Sequence, residues 1–229
     1  MTLDLRFSAK NRLKFTKESF GNLCQNTNWD LVGRFVIYDD GSTDGTFEYL
    51  SVQARITGAE LRQTSFGSGI LVANDFISRS EAEFVATLDN DAMVPPGWLD
   101  IGLEVLQNNP ELQVLGLEQR GIKGNPPYSY RPSNSLDGLY IARQSLFEGK
   151  SLPGAITPYE GWSQWLKANQ IQMGWLVPSL PVFLLDRIPF SPWIDLSRKY
   201  ESMGWQRPLT TQARLYSSED AYLWSWCKW

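Results

Sequence analysis

The sequence predicts an α/β fold, a mostly parallel sheet flanked by helices on both faces. Three observations carry that reading. Short runs such as residues 34–38 and 84–88 have the length and apolar content of strands buried in a sheet. The segments between such runs place apolar residues at helical spacing. Strand and helix alternate at the short intervals of successive βαβ units.

Taken in order, residues 3–8 alternate as a strand does, and residues 12–24 form a helix with Leu13, Phe20, Leu23 and Cys24 on one face. The strand at 34–38 runs into Asp39-Asp40-Gly41-Ser42-Thr43-Asp44-Gly45-Thr46. A helix follows, with Phe47, Leu50 and Ala54 aligned. Residues 60–63 are a third strand. Residues 68–80 are helical through Ile70, Ala73 and Ile77, and 84–88 is the fourth strand. Pro95-Pro96-Gly97 opens a helix that ends at Asn108-Asn109-Pro110, and 113–117 is strand-like. From 121 to 137 the pattern stops, and the stretch reads as a long loop. Strand-like 139–142, a helix over 160–169 and strands at 175–177 and 182–185 complete the domain. The last forty or so residues lack periodicity and read as a segment that packs back on it.

With 229 residues, 42% hydrophobic and 20% charged, the chain can bury a full core. No apolar run reaches the ~18 residues of a membrane span, and residues 1–7 lack the pattern of a secretory signal. The two cysteines, Cys24 and Cys227, form neither a disulfide framework nor a metal motif, which fits a cytoplasmic setting. A net charge of −4 disfavours tight non-specific binding of nucleic acid. There is no histidine, so a general base or metal ligand must be chosen among other side chains. Most of the ten tryptophans lie from Trp162 onward and either pack a core or line a site for flat or sugar-like ligands.

The chemistry concentrates at two strand ends. Asp89 and Asp91 follow the strand at 84–88, in the place where open α/β sheets bind ligands. Two carboxylates one residue apart repel unless a cation or hydrogen-bond donors separate them, and oxygen-only ligands suit Mg²⁺, Mn²⁺ or Ca²⁺. Asp-Asn-Asp is also ordinary turn chemistry. Asp39, Asp40 and Asp44 follow the strand at 34–38. Capping of the next helix accounts for one or two of them. A carboxylate fixed at a strand tip also suits the N3–H of uracil or thymine, or the N1–H of guanine.

These two motifs, about 50 residues apart, resemble those of the GT-A-fold glycosyltransferases of the family 2 type, which are inverting enzymes. Residues 36–46 are similar to that family's nucleotide-binding stretch. Leu88-Asp89-Asn90-Asp91, with Pro95-Pro96-Gly97-Trp98-Leu99 after it, is similar to its DxD motif and following helix. Asn11-Arg12 resembles the start of the family domain, and residues 138–143 resemble the strand beside the acceptor site. The resemblance implies a GT-A domain over residues 1–186, with a nucleotide-sugar half to about 118, an acceptor half to 186, and a C-terminal segment over 187–229.

By that resemblance Asp39 or Asp40 contacts the base, Asp91 holds a divalent cation (Mn²⁺ or Mg²⁺), and Asp89 sits by the ribose or the metal. The implied donor is a nucleotide-diphosphate sugar, UDP-linked by preference. The acceptor is a glycan, glycolipid, protein or modified base. The family's Glu-Asp pair is matched by Glu160 alone, the candidate base; Glu219-Asp220 is a rival that lies some 60 residues later. The family's late histidine is absent, and Asp186 is the candidate to replace it. Relatives carry Arg where Ala73 stands. Tyr128, Tyr130 and Arg131 are candidates for a lid, and Trp162 for stacking on a sugar. Two other classes compete: a catalytically silent GT-A domain that only binds, and a nucleotidyltransferase, which the lack of a Gly-rich phosphate loop disfavours.

Overall fold

The computed structural model describes residues 2–117, 122, 124–136, 138–150 and 160–185. The strands are β1 (Leu3–Ala9), β2 (Val32–Asp39), β3 (Glu60–Gln63), β4 (Phe84–Asp89), β5 (Ala92–Met93), β6 (Val114–Gly116), β7 (Ser129–Pro132), β8 (Tyr140–Arg143), β9 (Met173–Val177) and β10 (Phe183–Leu184). The helices are α1 (Leu13–Asn26), α2 (Thr46–Thr57), α3 (Gly69–Ser78), α4 (Trp98–Asn108) and α5 (Glu160–Ala168). Eight strands form one sheet in the order β3-β2-β1-β4-β8-β6-β9-β7, and β10 pairs with β5 in a small second sheet.

β3, β2, β1 and β4 are parallel, as expected. β8 then inserts antiparallel between β4 and β6. The parallel reading therefore holds for the first half, while the second half is mixed. The expected loop over 121–137 contains β7, an edge strand antiparallel to β9. Its side chains are mostly exposed and it ends on Pro132, so no apolar pattern marked it. Tyr130 and Arg131 belong to this edge, four strands from β4. The Tyr130 hydroxyl donates to Glu111 at 2.8 Å, so their placement in an edge strand replaces the expected lid.

Side-chain parity on the sheet separates two cores. Leu3, Leu5 and Phe7 of β1, with Ala86 and Leu88 of β4, face one way under Phe20 and Leu23 of α1, Leu50 of α2, and Trp98 and Leu103 of α4. Val36 and Tyr38 of β2, Val85 of β4 and Tyr140 of β8 face the other way. They lie under Val72, Phe76 and Ile77 of α3 and Trp162 and Leu166 of α5. Asp4, Arg6 and Ser8 of β1 point toward this second layer. Asp4 and Arg6 are buried there, rather than facing water as alternation in sequence suggests. Among the described residues no helix is long and apolar enough to cross a membrane.

Candidate active site

The strand order reverses direction at β1, with β2 on one side and β4 on the other. Ligands of open α/β sheets bind at such a switch point, beyond the strand ends. Asp39, Asp40, Asp89 and Asp91 all fall there.

The loop after β2 is tied to the turn after β1. Asn11 and Arg12 both adopt left-handed backbone, with φ of 55° and 64°, a strained choice that concentrates at functional sites. The contacts holding it are local and specific. The Ser42 hydroxyl accepts from the Asn11 N–H at 2.7 Å, and the Thr43 N–H donates to Asn11 Oδ1 at 2.7 Å. The Asn90 amide donates to the Asn11 carbonyl at 2.9 Å. Asp44 Oδ2 accepts from the Leu13 N–H at 2.9 Å, and its Oδ1 accepts from the Thr46 N–H and hydroxyl. One carboxylate thus serves the first turns of both α1 and α2. Burial raises its pKa, but the bonds from Thr46, Leu13 and Arg12 outweigh that and hold the carboxyl below the usual range.

The acids of the pair Asp39-Asp40 differ. Asp40 Oδ1 accepts from the Thr64 hydroxyl at 3.0 Å and the Phe66 N–H at 2.6 Å, and its Oδ2 lies 3.9 Å from Lys10 Nζ. Asp39 is fully buried. Its Oδ2 accepts from the Ser42 N–H at 3.0 Å, while its Oδ1 is buried without a hydrogen-bond partner. A buried carboxylate oxygen left in that state costs about 1–3 kcal/mol or more, which a ligand N–H would relieve.

A polar stripe on α1 carries the segment after β4. Thr16, Ser19, Asn22 and Asn26 are spaced for one helical face. The Thr16 hydroxyl accepts from Asn90, and the Ser19 hydroxyl donates to the Ala92 carbonyl at 2.6 Å. The Asn22 side chain accepts from the Val94 N–H at 2.7 Å, and Asn26 donates to the Val94 carbonyl at 2.7 Å. The segment is pinned residue by residue. Sequence reasoning found only the apolar face of this helix, although the recurring Thr, Ser and Asn at intervals of three and four were the available signal.

The two acids of Asp89-Asn90-Asp91 point to different partners. Asp89 is half exposed; its Oδ1 accepts from the Ser8 hydroxyl at 2.8 Å and meets Arg6 at 3.5 Å. Asp91 is buried and its Oδ2 pairs with Arg12 at 3.0 Å. The Leu185 N–H donates to the Asp91 carbonyl at 2.7 Å, which fixes the end of β10 beside it. Asp186, the next residue, lies outside the described residues, as do Glu219 and Asp220 and the segment 187–229. Among the described residues no group of three metal-ligating side chains converges. The donor set still fits a hard cation. Mg²⁺ is usually held by one or two carboxylates, with substrate phosphates and water completing the shell, and Asp89 and Asp91 supply two.

A small cavity opens beside Asp89. It is lined by Arg6, residues of the first turns of α3, Gly138, Tyr140 and Trp162, and measures about 90 Å³. Burial pushes the Tyr140 hydroxyl up to about 12, so the ring is a neutral wall at ordinary pH. Glu160 opens α5, two residues before Trp162, and its side chain lies outside what the structure describes. Arg6 is the residue the sequence reading missed; a charged residue in the middle of a central strand was its signal.

The family model for glycosyl transferase family 2 matches residues 7–162, more than half of the chain. No curated protein sequence matches it. Among solved structures, S. aureus TarS 1–349 in complex with UDP-GlcNAc is similar at a TM-score of 0.67 and 17% identity, over 97% of this chain and 69% of that one. A mannosyltransferase from Pyrobaculum calidifontis, in complex with GDP-Man and Mn²⁺, is similar at 0.61 and 15%, over 75% of this chain and 53% of that one. Glucosyl-3-phosphoglycerate synthase from Mycobacterium tuberculosis, with Mn²⁺, UDP and phosphoglyceric acid, follows at 0.54 and 16%, over 76% and 67%. At these identities the likeness establishes the fold. With the family match, it identifies the chain as a GT-A glycosyltransferase that belongs to glycosyl transferase family 2.

Proposed function

We propose that the chain is a metal-dependent inverting glycosyltransferase that moves a sugar from a UDP-linked donor to an acceptor hydroxyl. The observation that carries this is the unpartnered Asp39 Oδ1 at the tip of β2, two strands away from Asp89 and Asp91 beyond β4. Asp39 accepts the uracil N3–H. Asp40, already engaged by Thr64 and Phe66, fixes the loop that presents the base site. Asp89 and Asp91 hold the cation, Mn²⁺ or Mg²⁺, with Asp186 as a further ligand next to Leu185. When bound, the cation stabilises the charge that grows on the departing diphosphate. Glu160 takes the proton of the acceptor hydroxyl as its oxygen bonds to the anomeric carbon and the bond to the diphosphate breaks. The complexes of similar structures with UDP-GlcNAc and with UDP and Mn²⁺ support the donor class.

The Arg12–Asp91 ion pair favours one alternative, a catalytically silent domain that binds nucleotide or glycan without turnover. A thermal-shift panel of UDP, GDP, dTDP and CMP with Mn²⁺, Mg²⁺ or EDTA tests the proposal. Ligand at ~100 times its dissociation constant adds about 2.7 kcal/mol of stability. A shift with UDP that needs metal and vanishes in Asp91→Asn supports it. No shift with any nucleotide overturns it. Turnover of a UDP-sugar, lost in Glu160→Gln with UDP affinity kept, separates the enzyme from the silent domain.

A further inference from the structure

Two residues that line the cavity beside Asp89, Arg6 and Trp162, each keep a buried N–H without a partner. Arg6 is buried on the sheet with its Nε lacking a partner, and its remaining bonds are at the limit of length: 3.4 Å to the Gly69 carbonyl and 3.5 Å to Asp89. Trp162 is 8% exposed and its Nε1 also lacks a partner. The indole is stacked with Tyr140 and Trp165, both at 5.3 Å between centroids, and with Phe147 at 5.8 Å. Its contacts with other rings are flat stackings, so what it offers a ligand is the N–H edge rather than a face for a sugar. A buried donor left unpaired is costly, and two in the lining of one cavity are the mark of a missing acceptor.

The size of the cavity limits what that acceptor belongs to. A whole ligand pocket measures ~300–1,000 Å³. A cavity of 150 Å³ holds benzene, which is ~25 Å³ per heavy atom. The 90 Å³ here therefore takes about four heavy atoms, a substituent rather than a sugar ring. Its chemistry is threefold. Arg6 and Trp162 ask for an oxygen acceptor, the half-exposed Asp89 asks for a donor, and Ile70, Ala73 and Leu136 present apolar wall. A carboxylate would satisfy the donors but repel Asp89. A hydroxyl would leave the apolar wall uncovered.

We propose that this cavity takes an acetamido group, making the chain selective for a donor whose sugar is N-acetylated. The carbonyl oxygen accepts from Trp162 and Arg6, the amide N–H donates to Asp89, and the methyl group packs on Ile70 and Ala73. The inference rests on the reading of the chain as a UDP-sugar transferase.

Calorimetric titration of the full chain in Mn²⁺ with UDP, UDP-glucose and UDP-N-acetylglucosamine tests it. The acetamido donor binds at least tenfold tighter than UDP-glucose in the unaltered protein. Trp162→Phe, which keeps a ring but removes the N–H, and Ala73→Leu, which fills the cavity, each reduce that ratio to threefold or less while UDP affinity stays constant. Equal binding of the two donors to the unaltered protein overturns the inference with the reading of the site intact, and so does a ratio that both variants leave unchanged. No binding of UDP itself overturns the functional reading and the inference with it.

Discussion

Asp44→Ala should destabilise the fold by about 2 kcal/mol without abolishing nucleotide binding. Asp44 serves two helices at once, through the Leu13 N–H of α1 and the Thr46 N–H and hydroxyl of α2. Loss of one helix cap costs about 0.5–2 kcal/mol, typically ~1, so two caps on one exposed carboxylate sum to about 2. For a domain of this size that is a fall in Tm of roughly 4–8 °C. Asp44→Asn keeps an acceptor oxygen and should lose less than half as much. The sign of the pH dependence follows from the lowered pKa of the carboxyl. A group depressed in the folded state contributes fully above its unfolded value, about 3.9, and loses that contribution as pH falls through the folded value. The gap between Asp44→Ala and the unaltered protein should therefore narrow once the pH falls below about 3.9. Urea unfolding at pH 7 and pH 3 measures it. A gap under 0.5 kcal/mol at pH 7, or one of equal size at both pH values, refutes the double-cap argument.

The remaining predictions concern the ties that hold the site. Asn22→Ala leaves the buried Val94 N–H without an acceptor and should cost about 2 kcal/mol, with weaker UDP binding because the segment behind Asp91 loosens; denaturation and titration together read this out. Arg12→Met and Asp91→Asn should each destabilise by about 2 kcal/mol or more, and the double variant should fall short of the sum by at least ~1 kcal/mol. Strict additivity would mean the pair contributes no coupling, while metal-dependent UDP binding should be lost only where Asp91 is changed. Glu160→Gln should lower turnover by ~10²–10⁴-fold with UDP affinity unchanged, and an active variant would send the search for a base to Asp220.

The first four parallel strands were legible because β1, β2 and β4 are covered on both faces or end in acids, and their helices repeat at clean spacing. What escaped was structure without an apolar pattern. β7 is an exposed edge, and β5 is two residues long, below the length any periodicity can register. The antiparallel insertion of β8 depends on how the chain returns across the sheet, which no local run of residues encodes. In the site, the sequence brought together Asp39, Asp40, Asp89 and Asp91, but composition treats carboxylates alike. Only contacts tell that Asp44 caps, that Asp40 anchors a loop through Thr64 and Phe66, and that Asp39 keeps an oxygen unclaimed. Arg6 went unnoticed because alternation with Leu5 and Phe7 reads as a water-facing position, whereas α3 and α5 roof it over.

The separate partners of Asp89 and Asp91 have a consequence for the order of assembly. Each carboxylate already has a guanidinium beside it, Arg6 for one and Arg12 for the other, so this quartet sums to no net charge. A lone divalent ion approaching it meets no excess of negative potential and must compete with fixed cations for the same oxygens. A nucleoside diphosphate carries the missing negative charge itself. The ion and the nucleotide should therefore arrive as one complex, with the protein showing little affinity for Mn²⁺ or Mg²⁺ on its own.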